Sequence, residues 1–230
     1  YRTDNIVHRI NTAQGRAITV DDEKDAETAR FLDYAAHLHA WSNGLFDIST
    51  GALRRVWRFT PSSTPPTLAE ITDLLPLVGW HRVLWQDGVL QMPAGMELDF
   101  GGIGKEYAVD KVWQLVVDHT NTPVLINFGG DLRVTSAKRD NTAWQVGIES
   151  QTHGMVEISQ GALATCGDSK RFLLKDGVRY SHILNPMTGW PITNAPHSVT
   201  VAAPTCIEAG MMATFASLQG EFAEQFLEAM

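Results

Sequence analysis

Residues 98–110 read Leu-Asp-Phe-Gly-Gly-Ile-Gly-Lys-Glu-Tyr-Ala-Val-Asp and join an apparent strand, Val89–Met92, to an apparent helix, Tyr107–Val117. Glycine lets the backbone bend where a side chain would clash, and lets a ligand approach the main chain closely. A glycine-rich turn that opens a helix also presents unpaired N–H groups to an anion. The stretch therefore predicts either a tight strand-to-helix turn or a cradle for a phosphorylated ligand.

The glycine pattern matches neither of two familiar nucleotide-binding motifs. It lacks the Gly-x-x-x-x-Gly-Lys-Ser/Thr of a P-loop and the Gly-x-Gly-x-x-Gly of a Rossmann turn. A conventional kinase, ATPase or NAD-dependent dehydrogenase is therefore disfavoured. Asp99, Lys105 and Asp110 surround the turn, and this mixture of charges suits a ligand that carries both hydroxyls and phosphates.

Composition places the chain among globular proteins. Its 230 residues are 44% hydrophobic and 19% charged, which suits a packed core. The formal net charge of -8 argues against nucleic acid or an anionic membrane surface as the main partner. No stretch reaches the roughly 20 apolar residues that a membrane-spanning helix needs. Cys166 and Cys206 predict two buried thiols rather than a disulfide framework, with a single bridge as the alternative.

Hydrophobic periodicity alternates between helix and strand along the chain. Helical spacing predicts helices over residues 22–41, 68–75, 107–117 and 206–218. Alternating or short apolar runs predict strands over residues 83–85, 89–92, 124–128, 144–148, 155–158, 162–166, 179–184 and 199–203. Because strands outnumber helices but are interspersed with them, we expect an α+β or mixed α/β fold in a single domain over residues 1–230.

Polar groups follow three of the predicted strands. The loops are residues 127–131, 165–168 and 181–186. His182 lies in the last loop, where an imidazole suits general-base duty, and a histidine satisfied within a half-buried strand is an equal alternative. A hydrolase triad of Ser181, His182 and Asp168 is disfavoured, since adjacent strand residues face opposite sides and no nucleophile elbow is present.

Taken in order, these segments resemble the ApbE family of flavin transferases (FAD:protein FMN transferases) over nearly the whole chain. The matching segments are Tyr1–Asn5 with Asn11, Gly44–Asp47, Asp99–Asp110, Asn127–Asp131, Ala164–Asp168 and Ser181–Gly189. Each motif is weak alone, but six in register are specific. The family pattern has a further strand before the position of Tyr1 and a hairpin after that of Met230. We therefore expect this sequence to lack those two elements of the family.

The resemblance implies an α/β fold related to the T-fold that binds FAD. With Mg2+, it would move FMN onto a threonine hydroxyl of a partner protein and release AMP, on the periplasmic side of a bacterial envelope or in the cytoplasm. The resemblance makes His182 the catalytic candidate, and Gly102, through its carbonyl, and Thr214 the metal ligands. The FAD contacts that it implies are Tyr1, Leu45, Phe46, Asp47, Asp99, Lys105 and Ile183.

Two departures from the family pattern concern carboxylates. The family's metal-binding helix reads Ala-Asp-Ala-Leu-Ala-Thr, whereas residues 209–214 place Gly210 at the acidic position, and Glu106 stands where the family has glycine. Since Mg2+ prefers carboxylate oxygen, we expect weakened metal binding unless Glu208, Asp168 or the flavin phosphates compensate. We also expect Gly210→Asp to tighten Mg2+ binding.

Two alternatives to the transferase stay open, and the missing acid motivates the first of them. The protein would be an FAD-binding protein with weak or lost transferase activity, or a metal-dependent FAD pyrophosphatase in which water replaces the threonine. Free FMN among the products distinguishes the pyrophosphatase.

Overall fold

The computed structural model describes residues 3–20, 25–60, 62–148 and 154–230. The chain divides into two compact units. The first unit comprises Tyr1–Phe100 with Arg171–Pro191, and the second comprises Gly101–Lys170 with Ile192–Met230. The prediction of one ApbE-like domain over residues 1–230 stays a prediction.

Helices and strands are interspersed, as the periodicity predicts. The helices are α1 (Ile6–Asn11), α2 (Ala26–Trp41), α3 (Leu68–Leu74), α4 (Gly104–His119), α5 (Cys206–Leu218) and α6 (Ala223–Glu228). The strands are β1 (Ile18–Thr19), β2 (Leu84–Gln86), β3 (Val89–Gln91), β4 (Leu125–Phe128), β5 (Asp131–Val134), β6 (Trp144–Gly147), β7 (Met155–Ile158), β8 (Gly161–Cys166), β9 (Phe172–Lys175), β10 (Val178–Ser181) and β11 (Val199–Ala203). Short 3-10 helices lie at Gly51–Arg55, Leu75–Leu77, Trp80–Arg82 and Gly220–Phe222. The mixed α/β class is thereby confirmed.

Two small antiparallel sheets belong to the first unit: β1-β3-β2 and β9-β10. A hairpin turn with Asp87 and Gly88 joins β2 to β3, with φ of 50° and 71° at these residues. Positive φ at both central positions is typical of the turn that matches strand twist. A separate cluster packs Leu53 and Trp57 against Ile71 of α3.

A four-stranded antiparallel sheet, β11-β8-β5-β4, organises the second unit. Successive strand residues face opposite sides, so Ala162 and Ala164 of β8 share one face. Val109 of α4 and Cys206 and Ala209 of α5 pack against that face. The small side chains of β8 therefore let the two helices lie close to the sheet.

The opposite face of this sheet is covered by the β6-β7 hairpin. Leu163 of β8 points there and joins Leu132 and Val134 of β5 and Ile158 of β7 in a buried cluster. The sheet is therefore covered on both faces, with α4 and α5 on one side.

The observed elements differ from the predicted ones in specific places. Helix α4 begins at Gly104 rather than Tyr107, so Lys105 and Glu106 lie in its first turn. Strand β10 ends at Ser181, so the predicted strand over 179–184 is too long and His182 lies in a bend. The prediction missed β5, whose acidic first residue Asp131 is unfavourable in strands. The predicted start of the first helix lies partly at residues 21–24, outside the described residues.

Candidate functional site

Asp47 holds together the loop of residues 44–51 in the first unit. Its Oδ1 accepts hydrogen bonds from the Ser49 N–H at 2.8 Å and from the Ser49 hydroxyl at 2.6 Å. Its Oδ2 accepts one from the Trp80 N–H at 2.8 Å and lies 3.5 Å from Nε2 of His39. The residue is only 8% exposed. Its carboxylate therefore fixes the loop conformation.

Leu45 and Phe46, two predicted FAD contacts, belong to the same loop. The Phe46 N–H donates to the Ser42 hydroxyl at 2.8 Å, and the Phe46 side chain is buried. Leu45 is partly exposed. The loop thus combines a buried aromatic anchor with an aliphatic side chain that a ligand can reach.

Asp99 lies beside this loop, as a shared ligand surface would require. Its N–H donates to the Ile48 carbonyl at 2.7 Å, and its Oδ2 lies 3.2 Å from Nη1 of Arg54. Arg54 also lies 3.4 Å from Oε2 of Glu97. The structure therefore brings Asp99 and Asp47 into one local framework, and Arg54 is a charged member of it that the sequence prediction missed.

His182 follows β10 with a defined ring orientation. Its Nδ1 lies 2.9 Å from the Arg171 carbonyl, and its ring meets that of Phe59 edge-on with centroids 6.2 Å apart. A carbonyl oxygen only accepts, so Nδ1 carries a hydrogen, and whenever the ring is neutral the lone pair is on Nε2. The next residue, Ile183, donates its N–H to the Ser181 hydroxyl at 3.2 Å.

Lys105 and Asp131 form an ion pair in the second unit. Lys105 Nζ donates to Oδ2 of Asp131, whose Oδ1 accepts the Thr165 N–H at 3.1 Å. Asp131 is 1% exposed, whereas the Lys105 side chain is 54% exposed. Burial lowers the pKa of Lys105, but the hydrogen bond and charge of Asp131 outweigh it and the pKa is raised. Lys105 is thus a half-exposed cation whose charged form Asp131 favours, and Asp131 is a residue that the site prediction missed.

Glu106 is a buried acid whose side chain reaches α5. The residue is 8% exposed, and Oε2 has no hydrogen-bond partner among the described residues. A Cβ built on Gly210 would lie 2.5 Å from Cγ of Glu106 and 3.0 Å from Oε1. Burial raises the pKa of the Glu106 carboxyl and the charge of Asp131 raises it further, against a lowering by N–H groups of the first turn of α4. Sequence reasoning noted Glu106 only as a departure from the family pattern.

Thr214, a predicted metal ligand, lies one turn after Gly210 on α5. Cys166 of β8 lies against it: burial raises the pKa of this thiol, opposed by hydrogen bonds to the hydroxyls of Ser217 and Thr214 and reinforced by the charge of Glu106. Thr214 and Glu106 thus lie around the same thiol. Gly102 lies in the exposed turn directly before α4.

The acids expected to compensate for Gly210 are engaged elsewhere. Oε2 of Glu208 accepts the Thr205 N–H at 3.1 Å and the Thr205 hydroxyl at 2.8 Å, so Glu208 caps α5. Oδ1 of Asp168 lies 2.8 Å from Nδ1 of His197. Glu208 in particular serves the helix terminus.

Asp110 makes hydrogen bonds that hold the second unit together, and its interpretation as a group beside the ligand stays a prediction. Its Oδ1 accepts hydrogen bonds from Nη1 of Arg133 at 2.8 Å and from the Cys206 N–H at 2.9 Å. Its Oδ2 accepts the Ile207 N–H at 2.9 Å. Asp110 therefore ties the N-terminus of α5 to α4.

Two sets of predicted site residues, Tyr1 and the metal ligands, have few contacts to report. Tyr1 lies outside the described residues. Within residues 3–20, 25–60, 62–148 and 154–230, no three His, Cys, Asp or Glu side chains are grouped closely enough to hold a metal ion. The two predicted ligands, the Gly102 carbonyl and the Thr214 hydroxyl, are oxygen donors that belong to none of these four residue types.

None of the described helices is both long and apolar enough to cross a bilayer.

The fold and the site groups together define a mixed α/β protein with polar loops at strand ends and a buried acid, Glu106, where α4 packs against α5. The sequence profile of the ApbE family matches residues 1–230. The chain belongs to the ApbE family.

Two named proteins are similar to this chain in sequence. An FAD:protein FMN transferase of Treponema pallidum is 30% identical over 239 residues, covering 93% of this chain and 64% of that protein. An FAD:protein FMN transferase of Vibrio cholerae is 28% identical over 234 residues, covering 96% of this chain and 68% of that protein. The chain thus spans 64–68% of the length of these two relatives.

Solved structures confirm the fold. The ApbE protein of Thermotoga maritima superposes with a TM-score of 0.86 at 28% identity, covering 97% of this chain and 74% of that one. The apo form of the flavinyl transferase ApbE of Pseudomonas stutzeri superposes with a TM-score of 0.86 at 27% identity, covering 100% of this chain and 73% of that one.

Proposed function

We propose that this protein transfers FMN from FAD to a threonine hydroxyl of a partner protein and releases AMP. The observation that carries the proposal is the match of residues 1–230 to the ApbE family, together with relatives that bear the name FAD:protein FMN transferase. In the reaction, the threonine oxygen forms a bond to the phosphorus of the FMN half. The pyrophosphate P–O bond breaks, AMP leaves, and the threonine proton passes to a base.

His182 is the proposed base. With hydrogen on Nδ1, held by the Arg171 carbonyl at 2.9 Å, the neutral ring presents its lone pair at Nε2. A positioned imidazole of this kind contributes typically about 10²–10⁴-fold to rate. The carbonyl on Nδ1 also stabilises the ring after it has taken up the proton, because both nitrogens then donate.

The FAD contacts are assigned in each unit separately. In the first unit, the proposed contacts are Leu45, Phe46 and Asp47 of the loop that Asp47 fixes, of which Leu45 is partly exposed, with Asp99 beside them. Ile183, next to His182, is the other proposed contact in that unit. Tyr1 remains a proposed contact from the family pattern alone.

Lys105 supplies the positive charge of the second unit's flavin contact. It is half exposed, and Asp131 holds it charged, so it suits a phosphate oxygen. Its position in the first turn of α4 adds the N–H groups of a helix start.

Oxygen donors in the second unit suit Mg2+. A buried carboxylate oxygen of Glu106 has no hydrogen-bond partner within the part of the chain that the structure describes, and hard oxygen ligands are those that Mg2+ prefers. The Gly102 carbonyl and the Thr214 hydroxyl would hold the ion. When bound, Mg2+ would neutralise charge on the pyrophosphate.

The test is incubation of the full-length protein with FAD, Mg2+ and a peptide that carries an acceptor threonine. We expect the peptide to gain the mass of the FMN group, with an equal amount of AMP released, and a threonine-to-valine peptide to stay unmodified. Free FMN without peptide modification would identify an FAD pyrophosphatase instead. FAD binding with neither product, across several bacterial target peptides, would identify a flavin-binding protein.

A further inference from the structure

We propose that Glu106 supplies the carboxylate ligand of this chain's metal site, from α4, in the space that an acidic side chain at position 210 of α5 would fill. The inference rests on the proposed function, because it assigns a ligand to the Mg2+ site of that activity.

The first argument is packing. A Cβ on Gly210 would lie 2.5 Å from Cγ and 3.0 Å from both Cδ and Oε1 of Glu106. Non-bonded carbon atoms attract best at about 3.5–4.0 Å, so the two side chains are mutually exclusive in this arrangement. The glutamate at position 106 therefore fits because residue 210 is glycine, and its carboxylate lies against the backbone of α5.

The second argument is the unpaired oxygen. Glu106 is only 8% exposed, yet its Oε2 has no hydrogen-bond partner among the described residues. Buried polar atoms nearly always have partners, and an exception in a folded protein often marks a missing water or ion. The free oxygen is thus a ligand position rather than part of the internal hydrogen bonding.

The third argument is charge. The ammonium beside Glu106 is that of Lys105, and it donates to Asp131. When Glu106 is ionised, it and Asp131 bring two negative charges against the one positive charge of Lys105. A divalent cation would offset this excess and replace the hydration that burial removes from the Glu106 carboxylate.

The fourth argument is convergence with Thr214. Residues four apart on a helix are neighbours on one face, with Cβ atoms about 5–6 Å apart. Since Glu106 packs where the Cβ of residue 210 would be, its carboxylate lies on the face of α5 that carries Thr214. Cys166 lies near both Thr214 and Glu106, which is consistent with that placement.

The test is a titration of Mn2+ into the full chain, with and without FAD, followed by the electron paramagnetic resonance signal of free Mn2+. Mn2+ is suited to the same hard oxygen ligands as Mg2+. We expect Glu106→Gln, which keeps the shape of the side chain, to weaken Mn2+ binding by roughly tenfold or more, since removing even a hydrogen-bond partner of a metal ligand typically costs about 10–100-fold in affinity. The matched control is Glu208→Gln, which should leave Mn2+ affinity unchanged because Glu208 caps α5.

An exchange of the two residues gives a second, independent measurement. Glu106→Gly should weaken Mn2+ binding, and the double variant Glu106→Gly/Gly210→Asp should restore it. Circular dichroism and thermal unfolding would show that each variant is folded. Restoration in the double variant is not expected if Glu106 merely fills space.

The outcomes separate the inference from the proposed function. If the wild-type protein transfers FMN and Glu106→Gln binds Mn2+ as tightly as wild type, the inference is wrong and the function stands. Failure of the folded double variant to regain affinity also overturns the inference. If wild type neither transfers FMN nor binds FAD, the proposed function is wrong, and Mn2+ binding that depends on Glu106 would then show a metal site with another use.

Discussion

Glu106 on α4 occupies the space that a side chain at Gly210 on α5 would need, with Cγ 2.5 Å from the position of a Cβ on that glycine. The contact changes one expectation from the sequence. Gly210→Asp alone would place an acid into occupied space, so we no longer expect this single change to tighten Mg2+ binding. The contact also links the two departures from the family pattern, because the Glu106 side chain fits only where residue 210 has no side chain.

Gly210→Asp should destabilise the protein. Overpacking a well-packed interior typically costs about 1–3 kcal/mol, and the new carboxylate would also lie against that of Glu106. Urea denaturation should show this loss in the free energy of unfolding. Gly104→Ala is the control, because a Cβ at Gly104 meets nothing within 4 Å. Equal stability of Gly210→Asp and wild type would show that the two helices do not pack as described.

Asp47→Asn should loosen the loop of residues 44–51. The amide of asparagine keeps an oxygen to accept from Ser49, but its NH2 group would face the Trp80 N–H, so two donors would meet with no acceptor between them. Leaving a buried donor unsatisfied costs about 1–3 kcal/mol, which chemical denaturation would measure. Asp118→Asn, an exposed change of the same kind on α4, should be nearly neutral. A neutral Asp47→Asn would mean that its carboxylate does not hold the loop.

Much of the second unit was predictable from sequence, and the reason is local. Helix α5 runs over the predicted residues 206–218 because Thr205 and Glu208 form a capping box before an apolar run. The site was harder to predict, because it depends on contacts between distant elements. The meeting of Glu106 with Gly210, and the burial of Asp131 under Lys105, follow from how α4 and α5 pack on the sheet. Only paired departures from the family pattern, acid for glycine and glycine for acid, could have indicated the first of these.

Cys206 should make stability fall in alkaline solution. Both cysteines are free thiols, as predicted, but of the two predicted buried thiols only Cys206 is buried, whereas Cys166 is partly exposed. Burial, followed by the charge of Asp110, raises the pKa of Cys206 in the folded protein, whereas the unfolded thiol titrates near 9.0. The folded state therefore favours the protonated thiol. Its contribution to stability is full below the unfolded pKa and is lost as pH rises above it, by about 1.4 kcal/mol per pH unit.

Comparison with Cys206→Ala isolates this effect. The difference in free energy of unfolding between wild type and variant, measured by urea denaturation from pH 7 to pH 10.5, should shrink above the unfolded pKa. The thiol of Cys206 should also resist alkylation in a Cys166→Ser background until the protein unfolds. Rapid alkylation of the native protein at pH 8 would contradict the burial of this thiol.

His182→Asn should lower the rate of FMN transfer and leave FAD affinity nearly unchanged. Asparagine can still donate a hydrogen bond where Nδ1–H did, but it cannot take up the threonine proton, so we expect a loss of about 10²–10⁴-fold in kcat. His119→Asn is a matched control, because Nδ1 of His119 also lies near a backbone carbonyl, that of Leu115 at 2.7 Å. Steady-state transfer rates with saturating FAD would test this. Equal losses in both variants, or none at His182, would remove His182 from the chemistry.

The mass of a threonine peptide after incubation with the full-length protein, FAD and Mg2+ tests the account most directly. We predict a peptide heavier by the FMN group, AMP in equal amount, and loss of both products in His182→Asn. The FAD:protein FMN transferase of Vibrio cholerae, run on its own target sequence, would show that the assay works. An unmodified peptide and no AMP, across several target sequences in an assay where that relative is active, would contradict the account.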